Sequence, residues 1–294
     1  MKLSMETKGA PKTLQASDAL KTYRYLRIGM VAAVVCLATA IAIERSKVSC
    51  WQTSISAYYY TPARAVFVGG LIAVGLALIV IKGRSNVEDM CLNFAGMFAP
   101  VVAVAPTADV GACWSIPPLA RPVTADGDLA PWVKSYVDNN LQALLVAGAV
   151  GLAAAVVVAI ASRRRDGLPA GARASFAVTA AALVVVWLLI DRWDDFYTRA
   201  HGAAAVLMFL FLIGAVVSKA VGDWRSPQRR FAAVYGAVAV AMAVGGVLIV
   251  MLRLGGDHTV LVLEAFEITL FAVFWVVQTI ENWDETAAGD VAVI

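Results

Sequence analysis

Charge is what this 294-residue sequence has least of: only 15% of its residues are charged, against 61% hydrophobic. A water-soluble domain carries about 25% charged residues, so so little charge excludes an ordinary soluble fold. Histidine is nearly absent, at two residues, and cysteine is limited to four. Neither supply can build a disulfide-dense secreted scaffold or a histidine-rich metal tract. No GxSxG elbow, Walker A loop or dinucleotide fingerprint is present, so the common hydrolase and nucleotide-binding signatures are missing. There is no internal repeat or low-complexity tract, and nothing points to a nucleic-acid partner or a cofactor.

What the chain does have is long apolar runs. Crossing about 30 Å of hydrocarbon takes about 20 apolar residues. Runs at about 25–43, 64–82, 89–106, 139–161, 174–190, 201–219, 231–252 and 259–280 qualify. The expected fold is all-α, a polytopic transmembrane bundle of about eight spanning helices in a single domain over 23–282. Residues 1–22 are expected to form a disordered cytoplasmic tail and 283–294 a second one. The first run ends in Glu44-Arg45-Ser46-Lys47 rather than a small-residue cleavage site, so it is read as a retained helix. With the N-terminus inside, 16 of the 24 Lys and Arg residues fall on cytoplasmic segments, led by Arg163-Arg164-Arg165 and Arg229-Arg230. Both termini are therefore expected in the cytoplasm of a multi-pass protein of the cell membrane.

That orientation puts Cys50 and Cys113 in loops on the non-cytoplasmic side, where oxidation is permitted. Each opens a Cys-Trp pair, and two alternatives stand: a disulfide between the loops, or two unpaired thiols. Trp51, Trp114, Trp132 and Trp193 at one boundary, and Trp224 and Trp283 at the other, match an aromatic belt.

Polar groups inside the runs are the functional signal. In "TVLVLEAFEITLFAVFWVVQTIENWD", helical spacing puts Glu264, Glu267, Phe271, Phe274, Gln278 and Glu281 on one face. A charge near the bilayer centre costs at least about 2.5–3.5 kcal/mol, so this face is expected to look into the bundle. Hydrogen-bonded links between helices are the plainer role for both glutamates. Asp191, His201, Asp257, His258, Glu264 and Glu267 can converge on the outer half with the stretch "SISAYYYTPAR", which supplies Ser54, Ser56 and Tyr58. Three tyrosines in a row cannot share one helical face, so one or two are expected inward and the rest among headgroups.

The segments "ISAYYYTPARAVF", "HGAAAVLMF" and "LEAFEITLFAVFW" resemble the DRAM/Sfk membrane-protein superfamily, and the neighbouring runs resemble a group of bacterial integral membrane proteins. The matched positions are Ile55, Ser56, Pro62, His201, Ala204 and Glu264. Ala57-Tyr58 stands where the superfamily usually carries an acidic residue. The resemblance implies a non-enzymatic role in membrane-lipid organisation or trafficking.

Three functions follow as expectations. The first is a protein that binds or organises a membrane lipid or other amphiphile in an outer-half pocket of Ser54, Ser56, Tyr58, Asp191, His201, Glu264 and Glu267. The second is a proton- or ion-coupled transporter titrating Glu264 and Glu267. The third is a metal-dependent hydrolase using His201, Asp191 and His258. No metal site is assigned, because no pair has the close helical spacing of a ligand motif.

Overall fold

The computed structural model describes residues 12–111, 113–118, 120–162, 170–192, 195–225 and 229–283. These residues form helices joined by short connections. In chain order they are α1 (Lys12–Ser46), α2 (Arg64–Val80), α3 (Asn86–Val104), α4 (Pro131–Ser162), α5 (Ala170–Arg192), α6 (Phe196–Trp224), α7 (Arg229–Met251) and α8 (Thr259–Glu281). Seven are long and apolar enough to cross a membrane; α2, at 17 residues, is the shorter eighth. This is the make-up of a multi-pass membrane protein. Residues 1–11 of the first expected tail lie outside the described residues, and α1 begins at Lys12. No proline or glycine breaks the polar stretch "LQASDALKTYRYL", so the apolar helix extends back through it. Residues 284–294 of the second expected tail lie outside the described residues.

The boundaries follow from local chemistry. Ser85 caps α3, its hydroxyl accepting from Glu88 N at 3.1 Å, while the Glu88 carboxylate reaches back to Arg84 N at 2.9 Å. This is a capping-box arrangement that satisfies two amide donors. Pro131 opens α4, where a missing N–H costs nothing. After α7, Arg253, Gly255 and Gly256 all take positive φ, and Leu254 N bonds back to Ile249 O, ending the helix in a tight turn. Within α7, Ala241–Gly245 forms one π-helical turn.

α3 lies at the centre, packed on α2 and α6. The backbones of α2 and α3 nearly touch: a methyl on Gly75 would sit 2.8 Å from Gly96 O, and one on Gly96 would sit 2.6 Å from Gly75 O. Inside a bilayer the helices gain no water-driven attraction, so such close approach is a main source of cohesion. A methyl on Gly69 or Gly70, by contrast, would meet no atom within 4 Å. The main core joins α1, α2, α3, α6, α7 and α8. A second cluster packs Val133, Val137 and Leu141 of α4 against the end of α3 and the start of α6, while the described residues of α4 beyond Leu141 and of α5 include none that is buried.

At one end of the bundle the loops are cross-braced. Cys50 and Cys113 are joined, with Cα atoms 5.8 Å apart. Beside them the Gln52 amide donates to Cys113 O at 2.6 Å, and the buried Glu44 carboxylate takes Ser115 N and Ser115 Oγ at 2.9 and 2.8 Å.

Candidate functional site

The segment between α1 and α2 is a short 3-10 turn, Ser56–Tyr60, laid against the start of α8. Ser54 Oγ accepts from Ala57 N at 2.9 Å, which starts the turn. Glu264 holds it in place. Its Oε2 accepts from Ile55 N at 2.5 Å and Ser56 N at 3.3 Å, and its Oε1 accepts from Ser56 Oγ at 2.6 Å. Leu261 N adds a backbone bond to Thr53 O at 3.0 Å. A carboxylate with three donors is a strong bracket, and here its lone pairs are largely spent on protein.

The tyrosine run corrects an expectation: all three turn inward. Tyr58 and Tyr59 are buried, at 1% and 4% exposure. Tyr60 is half-buried and donates to Thr107 O at 2.8 Å. The Tyr59 hydroxyl accepts from Arg64, whose guanidinium also covers the ring at 4.2 Å. A 3-10 turn folded under the loops, rather than an α-helix start, allows three successive rings this placement. Burial pushes all three phenols above the ordinary tyrosine range.

The other expected site residues have separate attachments. His201, in α6, is buried; its Nδ1 meets Ala105 O at 2.6 Å, and its Nε2 has no partner among the described residues. His258 Nδ1 meets Gln52 O at 3.1 Å. Asp191 lies in the last turn of α5 with its side chain outside the described residues, as do Trp193 and Asp194 entirely. The structure thus brings Ser54, Ser56 and Glu264 together, and gives His201 and Glu267 different surroundings. No group of three His, Cys, Asp or Glu able to hold a metal ion occurs among the described residues.

Glu267 is the unusual residue. It is 5% exposed, and its Oε2 has no hydrogen-bond partner among the described residues. It lies beside the end of the π turn in α7, where a methyl on Gly246 would be 2.8 Å from Glu267 Oε1. Further along the same buried face of α8, Trp275 Nε1 and Gln278 Oε1 are also buried without partners among the described residues. The face that spacing placed inward is inward.

That face ends in a buried ion cluster, of which sequence reasoning found only Glu281. Lys219, at 2% exposure, bonds Asp223 one turn on and Glu281 at 2.7 Å. Tyr235 donates to Glu281 Oε2 at 2.7 Å, with Lys219 Nζ over its ring at 4.5 Å. Arg84 closes the cluster from the α2–α3 connection, reaching Asp223 at 3.3 Å, Glu281 at 3.5 Å and Asn282 at 2.5 Å. The detectable signal was Lys219 and Asp223, opposite charges four apart near the end of an apolar run. No protein-family model, no curated protein and no solved structure matches this chain.

Proposed function

We propose that this is a proton- or ion-coupled small-molecule transporter in which Glu267 is the group that gains and releases the proton. One observation carries the reading: a carboxyl buried in the bundle with an oxygen that no described residue satisfies. Eight residues after Thr259, it sits about 12 Å along α8. Unsatisfied buried polar atoms are costly, and intramembrane acids mark ion and substrate pathways by default. The neighbouring π turn supports the same reading, because such turns gather at functional sites. Trp275, Gln278 and the Glu281 cluster extend the polar face away from Glu267.

In this reading both termini are cytoplasmic and the protein resides in the cell membrane. The distribution of Lys and Arg supports that orientation, and the Cys50–Cys113 bridge suits an oxidising exterior. The kinship with the DRAM/Sfk superfamily remains part of the proposal. It gains support from Ile55, Ser56 and Glu264, three matched positions joined by hydrogen bonds. An outer-half amphiphile pocket has less behind it, since Ser54, Ser56 and Glu264 bond protein groups.

The test uses protein reconstituted into vesicles that enclose a pH-reporting dye, challenged with a mixed pool of small metabolites. Wild-type protein is expected to give a proton flux that Glu267→Gln lacks while keeping its thermal stability. Equal flux in both, or none in either, overturns the reading.

A further inference from the structure

The two ends of the bundle are held by different chemistry. At the end bearing Cys50 and Cys113 the loops are joined by a covalent bridge and by hydrogen bonds involving Gln52, Glu44 and Glu264. At the other end the tie is ionic. Glu281 of α8 meets Lys219 of α6 at 2.7 Å, Arg84 of the α2–α3 connection at 3.5 Å and the hydroxyl of Tyr235 in α7 at 2.7 Å. Asn282 adds a bond from Arg84 at 2.5 Å. These two residues fasten α8 to three other elements, while the backbones of α6 and α8 come close at few points.

Buried ions are not needed to hold helices together. The cost of taking them out of water roughly cancels their attraction, and apolar residues of similar volume do as well or better. What ions permit, and an apolar seal does not, is separation into water, where each partner is hydrated again. Lys219 keeps Asp223 one turn along its own helix, and Arg84 is 40% exposed at its side chain, so neither cation is stranded when Glu281 withdraws. Behind the cluster, on the same face of α8, Gln278 Oε1, Trp275 Nε1 and Glu267 Oε2 are buried with no partner among the described residues. Water entering past Glu281 would satisfy these atoms in turn and reach Glu267, about 21 Å back along the helix at 1.5 Å per residue.

We propose that the Glu281 cluster is the gate of the path to Glu267. It opens when the end of α8 withdraws Glu281 from Lys219, Arg84 and Tyr235, admitting water first to Gln278. The bridged end stays closed in this step. The inference rests on the reading of Glu267 as the group that exchanges protons, and it names the end of the bundle from which that group is reached.

Thiol labelling of the full-length protein in lipid nanodiscs, open to reagent on both faces, tests the gate. Gln278 is 4% exposed, so a cysteine there meets a charged methanethiosulfonate only when the cluster parts. With Cys36→Ala in the background, Cys91 is the one other free thiol. It is buried against Gly214, between α3 and α6, and reports unfolding. Gln278→Cys is expected to react at a measurable rate while Cys91 does not. Adding Glu281→Gln, which removes the charge and keeps the size, is expected to raise that rate on the order of tenfold, the size of one hydrogen bond to a charged group. No reaction in either protein overturns the gate, and so does a rate that Glu281→Gln leaves unchanged. Reaction of Cys91 in step with Gln278→Cys overturns it too, since the cluster is then a clamp whose loss unfolds the bundle. Labelling is read without proton flux, so the two readings fail separately. Labelling in a protein that carries no flux overturns the role of Glu267 alone, and flux without labelling overturns the gate alone.

Discussion

The hydroxyl of Ser56 donates to the carboxylate of Glu264 at 2.6 Å, across 208 positions of sequence. The same carboxylate takes the amides of Ile55 and Ser56, so the first loop hangs from the last helix. Hydrogen bonds to a charged group contribute about 1.5–3 kcal/mol. Glu264→Ala should therefore destabilise the protein by about 3 kcal/mol and Ser56→Ala by about 1.5 kcal/mol, read from thermal unfolding in detergent. Equal melting temperatures for wild type and Glu264→Ala would falsify the anchoring role.

The bridge between Cys50 and Cys113 closes a long loop, with a sequence separation of 63. Constraining that loop contributes about 4 kcal/mol in the chain-entropy account. Reduction should lower the unfolding temperature. A membrane-impermeant maleimide added from outside intact cells should label both cysteines only after reduction. Labelling without reductant would show free thiols, and labelling only from the inside would reverse the proposed orientation.

The Lys219 cluster is balanced as a set and not residue by residue. Lys219→Met removes the ammonium that Asp223 and Glu281 share in the buried cluster, which should cost about 3–5 kcal/mol. Adding Asp223→Asn removes one stranded charge, so the double variant should be more stable than Lys219→Met alone. A double variant less stable than the single one would show that Asp223 does not depend on Lys219.

Gly246 sets the distance between α7 and the Glu267 carboxyl. Gly246→Ala puts a methyl 2.8 Å from the present position of Glu267 Oε1 and must push the side chain away. The expected result is a folded protein with weakened metabolite-driven proton flux. Flux equal to wild type would separate Gly246 from the function of Glu267.

The buried tyrosines give an alkaline signature. Burial raises their folded-state values above the ordinary value near 10, so their stabilisation is complete below about pH 10 and declines as pH rises through the folded values. Tyr60→Phe should flatten the loss of stability on the alkaline side, measured by melting temperature against pH. An unaltered profile would assign the loss to other groups.

Most of the helices were legible because apolar runs of this length admit few other structures. The inward face of α8 was legible because polar residues at helical spacing stand out against an apolar background. Lys219 was missed for a related reason: it lies near the end of a run, where a lysine ordinarily snorkels to the interface. Only its partners, Glu281 and Tyr235, reveal that it is buried, and those come from two other helices. The tyrosine run failed differently. Its five residues form a 3-10 turn and not a helix start, and the placement of that turn is set by a glutamate far along the chain.

The π turn of α7 has an effect on helix phase. One residue more than the α-helical count is taken up there, and at 3.6 residues per turn one residue corresponds to about 100° of rotation. The segment carrying Tyr235 and the segment carrying Gly246 are thereby turned relative to each other. Both face α8: Tyr235 meets Glu281, and Gly246 meets Glu267. Relaxing that turn into ordinary helix would bring one of the two contacts out of alignment whenever the other was kept. The carboxyl in mid-bundle and the ion cluster at its end are therefore in register with each other through a single turn of backbone.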